Sequence, residues 1–350
     1  MVTSKRTKIT KSPKTHRQVF IFGAGGSASC GIAVAKDILR ASILRLSRKD
    51  STKTDQVHKL LDYLYPSFNR PFRNYPNIED FLNQLEMAKK FNTAEFIESN
   101  LWPPARLEKI NHIILKEVTE YIWDIMQGKD ELQVLKEFVA GELRVGDTVI
   151  TFNWDLTAEL ALMDHPDNVT VSYSYLKSAE DESVFLLKPH GSINWFIKKN
   201  LPDGKARRNT TSLDKDICAY PHSDFAGNPD LRRYEPLIVP PVSTKEYEYE
   251  FLKRTWRNVY RAVSGATLLY VIGYSLPPED QFARLVLRRA IRNNLRKTKR
   301  KEKTPLRVTV VNPDKSVATT FSELVGPKAK GVNFYPISFQ DYAAGLLDQT

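Results

Sequence analysis

The sequence predicts an α/β protein built on a Rossmann-like parallel sheet, with helices on both faces and a large helical insert. Short apolar runs alternate with stretches of helical spacing, and a glycine-rich turn follows the first run. Parallel strands covered by helices on both faces read as continuous apolar segments, so this alternation is typical of α/β sheets. Small or polar residues end five of the runs. We expect them at the carboxyl edge of the sheet, where open α/β sheets bind ligands.

The first predicted strand is the apolar run at residues 19–22, and a glycine-rich turn follows it. Apolar residues then recur at helical spacing over 32–46. Several helical patterns come next without a clear strand, among them a helix that starts at Asn77 and an amphipathic helix over 107–126. We interpret this block, about residues 50–146, as a helical insert between two strands of the sheet.

The alternation of strands and helices resumes after the insert. Further strands are predicted at residues 148–152, 169–173, 185–187, 267–272 and 307–311. Helical spacing predicts two more helices, over 251–263 and 282–295. We therefore interpret residues 18–350 as one nucleotide-binding α/β domain.

Composition excludes several classes of protein. Of the 350 residues, 41% are hydrophobic and 27% are charged, as is usual for a globular protein. No apolar run approaches the roughly 20 residues needed to cross a bilayer, and the first residues lack the apolar core of a secretory signal, so we expect no membrane association. The two cysteines, Cys30 and Cys218, are too few for a disulfide framework or a four-cysteine zinc site. These features favour a cytoplasmic location and no structural zinc.

The net charge of +11 is concentrated in two stretches of the chain. Residues 1–17 carry six Lys or Arg and no acid, and are predicted to form a disordered basic arm. Residues 281–303 carry ten Lys or Arg against one acid. This second stretch indicates either contact with nucleic acid or a solvated helix face. The lack of interleaved aromatic residues favours the solvated face.

The glycine-rich loop at residues 23–27, with Ala28, satisfies the loose dinucleotide fingerprint Gly-x-Gly-x-x-Gly/Ala. Glycines let a pyrophosphate approach the backbone, and the helix predicted to follow offers N–H groups and the positive end of its dipole. The same loop also serves as a plain turn between a strand and a helix. No second strand ends in an acidic residue about 20 residues further on, as it does in ordinary Rossmann domains.

Polar residues follow the strands predicted at 148–152 and 185–187. Asn153 and Asp155 lie two apart where the first strand gives way to a turn, so both side chains can face a crevice. They are equally typical of turns and helix caps. His190, between Pro189 and Gly191, is predicted on a tight, exposed turn, where a histidine is suited to act as a general base near neutral pH. The alternative is an ordinary surface histidine.

The last two strands also end in small or polar residues. Gly273 and Ser275 follow the strand at 267–272, and Asn312 follows the strand at 307–311. Such groups can hold a ribose or an adenine at a strand edge, although plain strand-to-helix turns have the same composition.

Taken in order, these five pieces resemble the sirtuin family over about residues 18–46 and 147–315, outside the insert. The family's pyrophosphate loop falls on Gly23, Ala24, Gly25 and Ser27. Its nicotinamide-pocket Asn and Asp fall on Asn153 and Asp155, its catalytic His-Gly on His190 and Gly191, and its Gly-x-Ser and late Asn on Gly273, Ser275 and Asn312. The resemblance implies that NAD⁺ binds at the carboxyl edge of the sheet.

Departures from the family pattern imply which reaction is catalysed. Protein-deacylating sirtuins carry four zinc cysteines between the His and the Gly-x-Ser, where this chain has Cys218 alone. Residues 237–245 replace the segment that builds the acyl-lysine groove, and the Asp-Phe-Arg segment after the glycine loop is missing. With the helical insert, this pattern resembles the sirtuin-like NADases of bacterial antiviral defence, which hydrolyse NAD⁺ to nicotinamide and ADP-ribose.

The resemblance implies a mechanism in which NAD⁺ is the substrate. His190 acts as base toward water or a ribose hydroxyl, Asn153 orients that group, and Asp155 supports the nicotinamide pocket or the developing positive charge. It also implies a homo-oligomer and a partner defence protein, such as an ATP-driven DNA translocase. The alternative is a non-catalytic module that binds NAD⁺ or ADP-ribose and regulates a partner. A nucleic-acid-binding protein that uses residues 281–303 ranks last, because no recognisable reading motif is present.

Overall fold

The computed structural model describes ten segments of the chain, which are residues 17–68, 74–126, 132–167, 169–173, 183–200, 210–220, 236–240, 249–299, 305–326 and 332–347. The described strands are β1 (Gln18–Phe22), β2 (Thr148–Thr151), β3 (Thr170–Ser172), β4 (Ser183–Leu187), β5 (Trp195–Ile197), β6 (Thr211–Ser212), β7 (Ile217–Ala219), β8 (Leu268–Ile272), β9 (Arg307–Val311) and β10 (Val332–Tyr335). The described α-helices are α1 (Ala24–Ser27), α2 (Ala35–Lys49), α3 (Ser51–Leu64), α4 (Ile78–Lys90), α5 (Pro104–Met126), α6 (Gln133–Glu142), α7 (Thr157–Met163), α8 (Glu250–Gly265), α9 (Gln281–Lys299), α10 (Ser316–Val325) and α11 (Phe339–Leu347).

Seven of the strands form a parallel sheet in the order β10-β9-β8-β1-β2-β4-β3. β1 lies between β2 and β8, so the strand order changes direction there. The carboxyl end of β1 is therefore at the topological switch point, where open α/β sheets form a ligand crevice. The glycine loop and the residues after β2 and β8 all lie at this end.

Helices cover both faces of the sheet. In β1, Val19 and Ile21 pack with α8, α9 and α10 on one face, while Phe20 and Phe22 pack with α6, α7 and α11 on the other. Strands buried on both faces need apolar residues at every position, which explains their continuous apolar runs. The predicted α/β class, with helices on both faces and a helical insert, is confirmed.

The insert is a helical cluster formed by α2, α3, α4 and α5. It packs on Trp154 and Leu156, which follow β2, and on Ile193, which follows β4. The cluster therefore lies over the carboxyl edge of the sheet. Its packing begins with α2, before the predicted boundary near residue 50, and α6 belongs to the layer on the sheet. Arg17 was predicted to belong to the disordered arm. In the structure its backbone N–H donates to Thr267 Oγ1 at 3.1 Å, so this residue is part of the fold. Residues 1–16 lie outside the described part.

Two features of the fold are absent from the sequence prediction. β10 is an edge strand with alternating burial, so its sequence Val-Asn-Phe-Tyr contains no continuous apolar run. β5, β6 and β7 form a small antiparallel sheet, and β6 is only the exposed pair Thr211–Ser212. Within the described ranges, no helix is both long and apolar enough to cross a membrane.

Candidate active site

The glycine loop packs against the residues that follow β8. The N–H of Gly23 donates to Ile272 O at 3.0 Å, and the N–H of Gly25 donates to Gly273 O at 2.9 Å. A Cβ on Gly23 would lie 2.6 Å from Tyr274 Cα, and one on Gly25 would lie 2.8 Å from Gly273 Cα. These glycines are therefore needed for close contact between two backbone segments.

These hydrogen bonds differ from the predicted role of the glycine loop, in which its N–H groups bind a pyrophosphate. The N–H groups of Gly23, Gly25 and Gly26 donate to protein carbonyls, so the described conformation does not present them to a pyrophosphate. The helix that follows the loop directly is the single turn α1. The helix predicted over 32–46 is present as α2, but it begins at Ala35 and belongs to the insert, so the loop does not run directly into it.

A chain of hydrogen bonds connects four of the predicted site residues. Asn153 Nδ2 donates to Ser27 Oγ at 2.8 Å and to Gly23 O at 2.9 Å. Ser27 Oγ lies 3.2 Å from Thr157 Oγ1, which donates to Asp155 Oδ1 at 2.6 Å. Both amide hydrogens of Asn153 are occupied by these bonds. Its amide oxygen is therefore the atom suited to accept a hydrogen bond from a ligand.

Asp155 forms a turn just before α7. Its Oδ1 also accepts the backbone N–H of Thr157 at 3.0 Å, and its side chain is buried. This is the turn role that the sequence left open as the alternative. In the described conformation Asp155 therefore acts through Thr157 and Ser27.

A buried ion pair supports the same corner of the site. Lys188 Nζ contacts Glu159 Oε1 at 3.0 Å, and both side chains are fully buried. The ammonium also donates to the carbonyl of Asp155. Tyr173 OH donates to Glu159 at 3.2 Å, and the pKa of Tyr173 is raised well above its usual value by burial and by the charge of Glu159. Lys188 thus neutralises Glu159 and connects the end of β4 to the end of β2.

His190 is buried, with 2% of its surface exposed. Its ring lies 5.0 Å from the ring of Phe152 and 6.0 Å from that of Trp256, measured between centroids. The backbone is fixed because the N–H of Val239 donates to His190 O at 2.8 Å. The predicted turn is present, but its predicted exposure was wrong, since Phe152, which follows β2, and Trp256 of α8 cover the histidine.

The buried imidazole faces a carboxylate. His190 Nε2 lies 3.4 Å from Asp280 Oδ2, which also accepts the hydroxyl of Tyr274 at 2.7 Å. Asp280 Oδ1 accepts the N–H of Ala283 at 3.2 Å, within the first turn of α9. Burial raises the pKa of Asp280, but the charge of His190 and these hydrogen bonds outweigh it and hold the pKa below its usual value.

The insert contributes a second acidic group, Glu79, from the first turn of α4. Burial raises its pKa to about 7, with smaller opposing effects from the charge of His190, which lowers it, and from those of Asp280 and Glu279, which raise it. Sequence reasoning missed Glu79 and Asp280. An acid just before the helix at 282 is a cap signal that points to Asp280, whereas nothing in the sequence brings Glu79 to His190.

The last two predicted motifs, Gly273 with Ser275 and Asn312, follow the neighbouring strands β8 and β9. The N–H of Gly273 donates to Val311 O at 2.9 Å, and the N–H of Asn312 donates to Tyr335 O at 3.1 Å. Asn312 Oδ1 accepts the N–H of Asp314 at 3.0 Å, so it caps its own turn. Ser275 is exposed.

The predicted residues form two groups, on the two faces of the sheet. A small cavity, with room for about one water molecule, lies next to Asn153 under the glycine loop, and its polar lining comes from Ser27, Thr151 and Thr157 as well as Asn153. His190 lies on the opposite face with Asp280 and Tyr274. Phe152 connects them, because it precedes Asn153 in the chain and its ring contacts His190.

The two cysteines lie in separate parts of the core. Cys30 packs beside Phe22, and Cys218 packs with the insert. Among the described residues, no group of three or more His, Cys, Asp or Glu side chains is placed to hold a metal ion. The absence of zinc stays a prediction.

Comparison with known proteins found no matching family model and no matching curated protein. Solved structures do resemble the chain. They include a Sir2Tm structure bound to a propionylated peptide, with 14% identity, a TM-score of 0.41 and coverage of 96% of this chain and 94% of that chain. A Sir2–p53 peptide–NAD⁺ complex has 12% identity, a TM-score of 0.41 and the same coverage. A complex of a mutant Sir2 homologue with ADP-ribose has 14% identity, a TM-score of 0.41 and coverage of 96% and 92%. All three are sirtuin structures, the family that the motifs of this chain resemble.

Proposed function

We propose that this chain is an NAD⁺ glycohydrolase that cleaves the bond between nicotinamide and ribose to give nicotinamide and ADP-ribose. The observation that carries the proposal is the buried pair of His190 and Asp280 at the carboxyl edge of a parallel sheet. A buried imidazole that faces a carboxylate, beside a strand that ends in Asn153, is an arrangement suited to moving a proton. The ordered motifs that resemble sirtuins support NAD⁺ as the substrate.

Hydrolysis of NAD⁺ requires the protein mainly to position the substrate and a water molecule and to supply a base. Nicotinamide leaves NAD⁺ as a neutral molecule, taking the electron pair of the glycosidic bond, and the ribose becomes oxocarbenium-like. Water then forms the new C–O bond and gives its proton to His190. Asp280 favours the tautomer with hydrogen on Nε2, which leaves Nδ1 to accept that proton.

Asn153 is suited to hold the attacking water or the ribose hydroxyl. Its two amide hydrogens are occupied by Gly23 and Ser27, so its orientation is fixed and its oxygen is the remaining acceptor. Asp155 and Thr157 hold Ser27 in turn. We assign to Asp155 a positioning role in place of direct contact with nicotinamide.

Hydrolysis is favoured over deacylation because the chain lacks the cysteines of the sirtuin zinc module. By resemblance to the sirtuin-like NADases of bacterial defence, we extend the proposal to NAD⁺ depletion during infection, with a partner defence protein such as an ATP-driven DNA translocase. Residues 241–245 of the segment that replaces the acyl-lysine groove lie outside the described residues.

A second candidate is a non-catalytic module that binds NAD⁺ or ADP-ribose. The burial of His190 favours it, because NAD⁺ reaches the imidazole only if the side chains that cover it move. Such a module would need the glycine loop and Asn312, and neither Asn153 nor a reactive histidine.

Chromatography of NAD⁺ after incubation with the pure protein separates the two candidates. We expect nicotinamide and ADP-ribose to form without any acylated peptide, and to form no faster when an acetyl-lysine peptide is added. The His190→Ala protein is the matched control for contaminating hydrolases. Turnover that depends on the peptide would contradict the proposed hydrolase, and bound but intact NAD⁺ would favour the module.

A further inference from the structure

A basic surface lies on α8 and α9, which cover one face of the sheet. α9 buries its apolar side against the sheet and exposes basic side chains on the other, at Arg288, Arg289, Arg292, Arg296 and Lys297. Residues 281–299 contain no acid, so nothing on this helix offsets the charge. Residues 300–303, which continue the basic stretch, lie outside the described part.

α8 exposes a second basic row. Lys253, Arg257 and Arg261 recur every four residues, the spacing that places side chains on one side of a helix. Arg257 pairs with Glu250. Among the described residues, no carboxylate lies within 4.0 Å of Lys253 or Arg261, or of the exposed arginines of α9.

The two rows continue one another. The ring of Trp256 in α8 lies 4.9 Å from the ring of Phe282 in α9, and Ser264 Oγ donates to Ala290 O at 3.4 Å. The helices therefore run side by side in the same direction, and the row on α8 lies at the level of the start of α9. At about 1.5 Å per residue, the rows together form a basic strip about 25 Å long.

We propose that this strip, defined by the exposed basic residues of α8 and α9, binds the phosphate backbone of duplex nucleic acid. Arginine dominates it, and the guanidinium group is the side chain whose geometry best matches phosphate oxygens. A strip of about 25 Å spans roughly seven base pairs of a duplex that carries one negative charge per ~1.7 Å. The inference is independent of the proposed NAD⁺ chemistry.

The strip favours a duplex over a single strand. Single-strand binding depends on aromatic side chains on which bases stack. Within the described parts of α8 and α9, Phe282 is the one exposed aromatic residue, and it packs on Trp256. The strip can therefore contact phosphates, and it offers no platform for bases.

The test is binding of a fluorescein-labelled 30-base-pair DNA duplex, measured by anisotropy at several salt concentrations. The test variant carries Arg288→Gln, Arg292→Gln and Arg296→Gln. Its matched control carries Lys36→Gln, Arg40→Gln and Arg48→Gln, three exposed positions on α2, so both variants lose three positive charges. All six side chains are exposed, and circular dichroism confirms that both variants are folded.

We expect the wild type and the α2 control to bind the duplex, with an affinity that falls steeply as salt rises. The α9 variant should bind at least about tenfold more weakly, and the slope of log K against log salt should be smaller by about 2.7, or about 0.9 for each lost phosphate contact. Any of three results would overturn the proposal: no duplex binding by the wild type in 50 mM salt, equal losses in the two variants, or a preference for single strands of the same length. The first result would point to an acidic protein as the partner.

Discussion

His190 is the residue whose environment most constrains the chemistry. Two acidic side chains influence it from different elements, because Asp280 precedes α9 and Glu79 lies in the first turn of α4 of the insert. Asp280 is in contact at 3.4 Å and is itself held by Tyr274 and the N–H of Ala283. The imidazole is therefore oriented by a carboxylate whose own position is fixed by two further hydrogen bonds.

The first prediction separates chemistry from binding. His190→Ala and Asn153→Ala should each lower NAD⁺ hydrolysis by at least about a hundredfold, the low end for a positioned acid–base group. His190→Ala should still bind NAD⁺, which calorimetry measures alongside a nicotinamide-release assay. The double variant should be little worse than either single one, because groups that serve one transition state are lost as a unit. Near wild-type hydrolysis by His190→Ala would show that the assignment is wrong.

The second prediction concerns the carboxylate that faces His190. Asp280→Asn keeps the size of this side chain and removes its charge, so the imidazole loses the group that orients it. NAD⁺ hydrolysis in a nicotinamide-release assay should fall about tenfold or more, within the contribution of a positioned acid–base group. Binding of NAD⁺, measured by calorimetry, should be retained. Hydrolysis by Asp280→Asn at the wild-type rate would show that Asp280 does not orient the base.

Glu79 provides the third prediction, which concerns stability. Its pKa of about 7 in the fold exceeds the ordinary 4.5, so folding favours the protonated carboxyl. As pH rises from 4.5 to 7, the unfolded chain loses this proton first and the free energy of unfolding falls. Glu79→Gln removes this loss. The variant should therefore match the wild type at pH 4.5 and exceed it by on the order of 2 kcal/mol at pH 8.

Urea unfolding at both pH values measures this difference. Each variant is compared with the wild type at the same pH, so the contributions of other buried acids, such as Asp147, to the free energy of unfolding cancel. Glu279→Gln, at an exposed position, is the control and should show little change between the two pH values. If the gain of Glu79→Gln were the same at pH 4.5 and pH 8, burial of the charge would not be its cause.

At the scale of the elements, the buried strands could be predicted from the sequence. The features that depend on contacts between distant parts of the chain could not. β1, β2, β8 and β9 were predicted because they are buried on both faces. β10 was missed because an edge strand alternates. The glycine loop was placed correctly after β1, but its sequence cannot show that its N–H groups are used by the segment after β8. Likewise, the positions of Asn153 and His190 after their strands were predictable, whereas the burial of His190 depends on Trp256, about 66 positions away in the chain.

The fourth prediction uses two glycines to separate close contact from backbone strain. Gly273 has φ +62°, and an added Cβ would lie 2.2 Å from Gly26 N. Gly326 has φ +74° and would meet nothing within 4 Å. Gly326→Ala should cost on the order of 1–3 kcal/mol of stability from strain alone, because φ +74° with ψ 169° is a conformation essentially restricted to glycine. Gly273→Ala should cost at least about 2 kcal/mol more, because the glycine loop must move away. Equal costs in urea unfolding would mean that the two loops are not in close contact.

At the scale of the whole molecule, the insert exposes apolar side chains as well as covering the site. Phe91, Phe96 and Leu101 lie on the segment between α4 and α5, and they are 44%, 75% and 45% exposed. The rings of Phe91 and Phe96 pack on each other at 6.2 Å. Exposed apolar residues grouped in this way are typical of protein interfaces. This segment is therefore where the predicted homo-oligomer would form.

The fifth prediction tests that interface. Light scattering at micromolar concentration should give a mass above the 40.1 kDa of the monomer. Phe96→Asp should shift it toward the monomer, because a charge at a buried interface position is desolvated without a partner. Met163→Asp is the matched control, since Met163 is 48% exposed on α7, away from the insert. A monomeric wild type would rule out the oligomer, and an equal response of both variants would place the contact elsewhere.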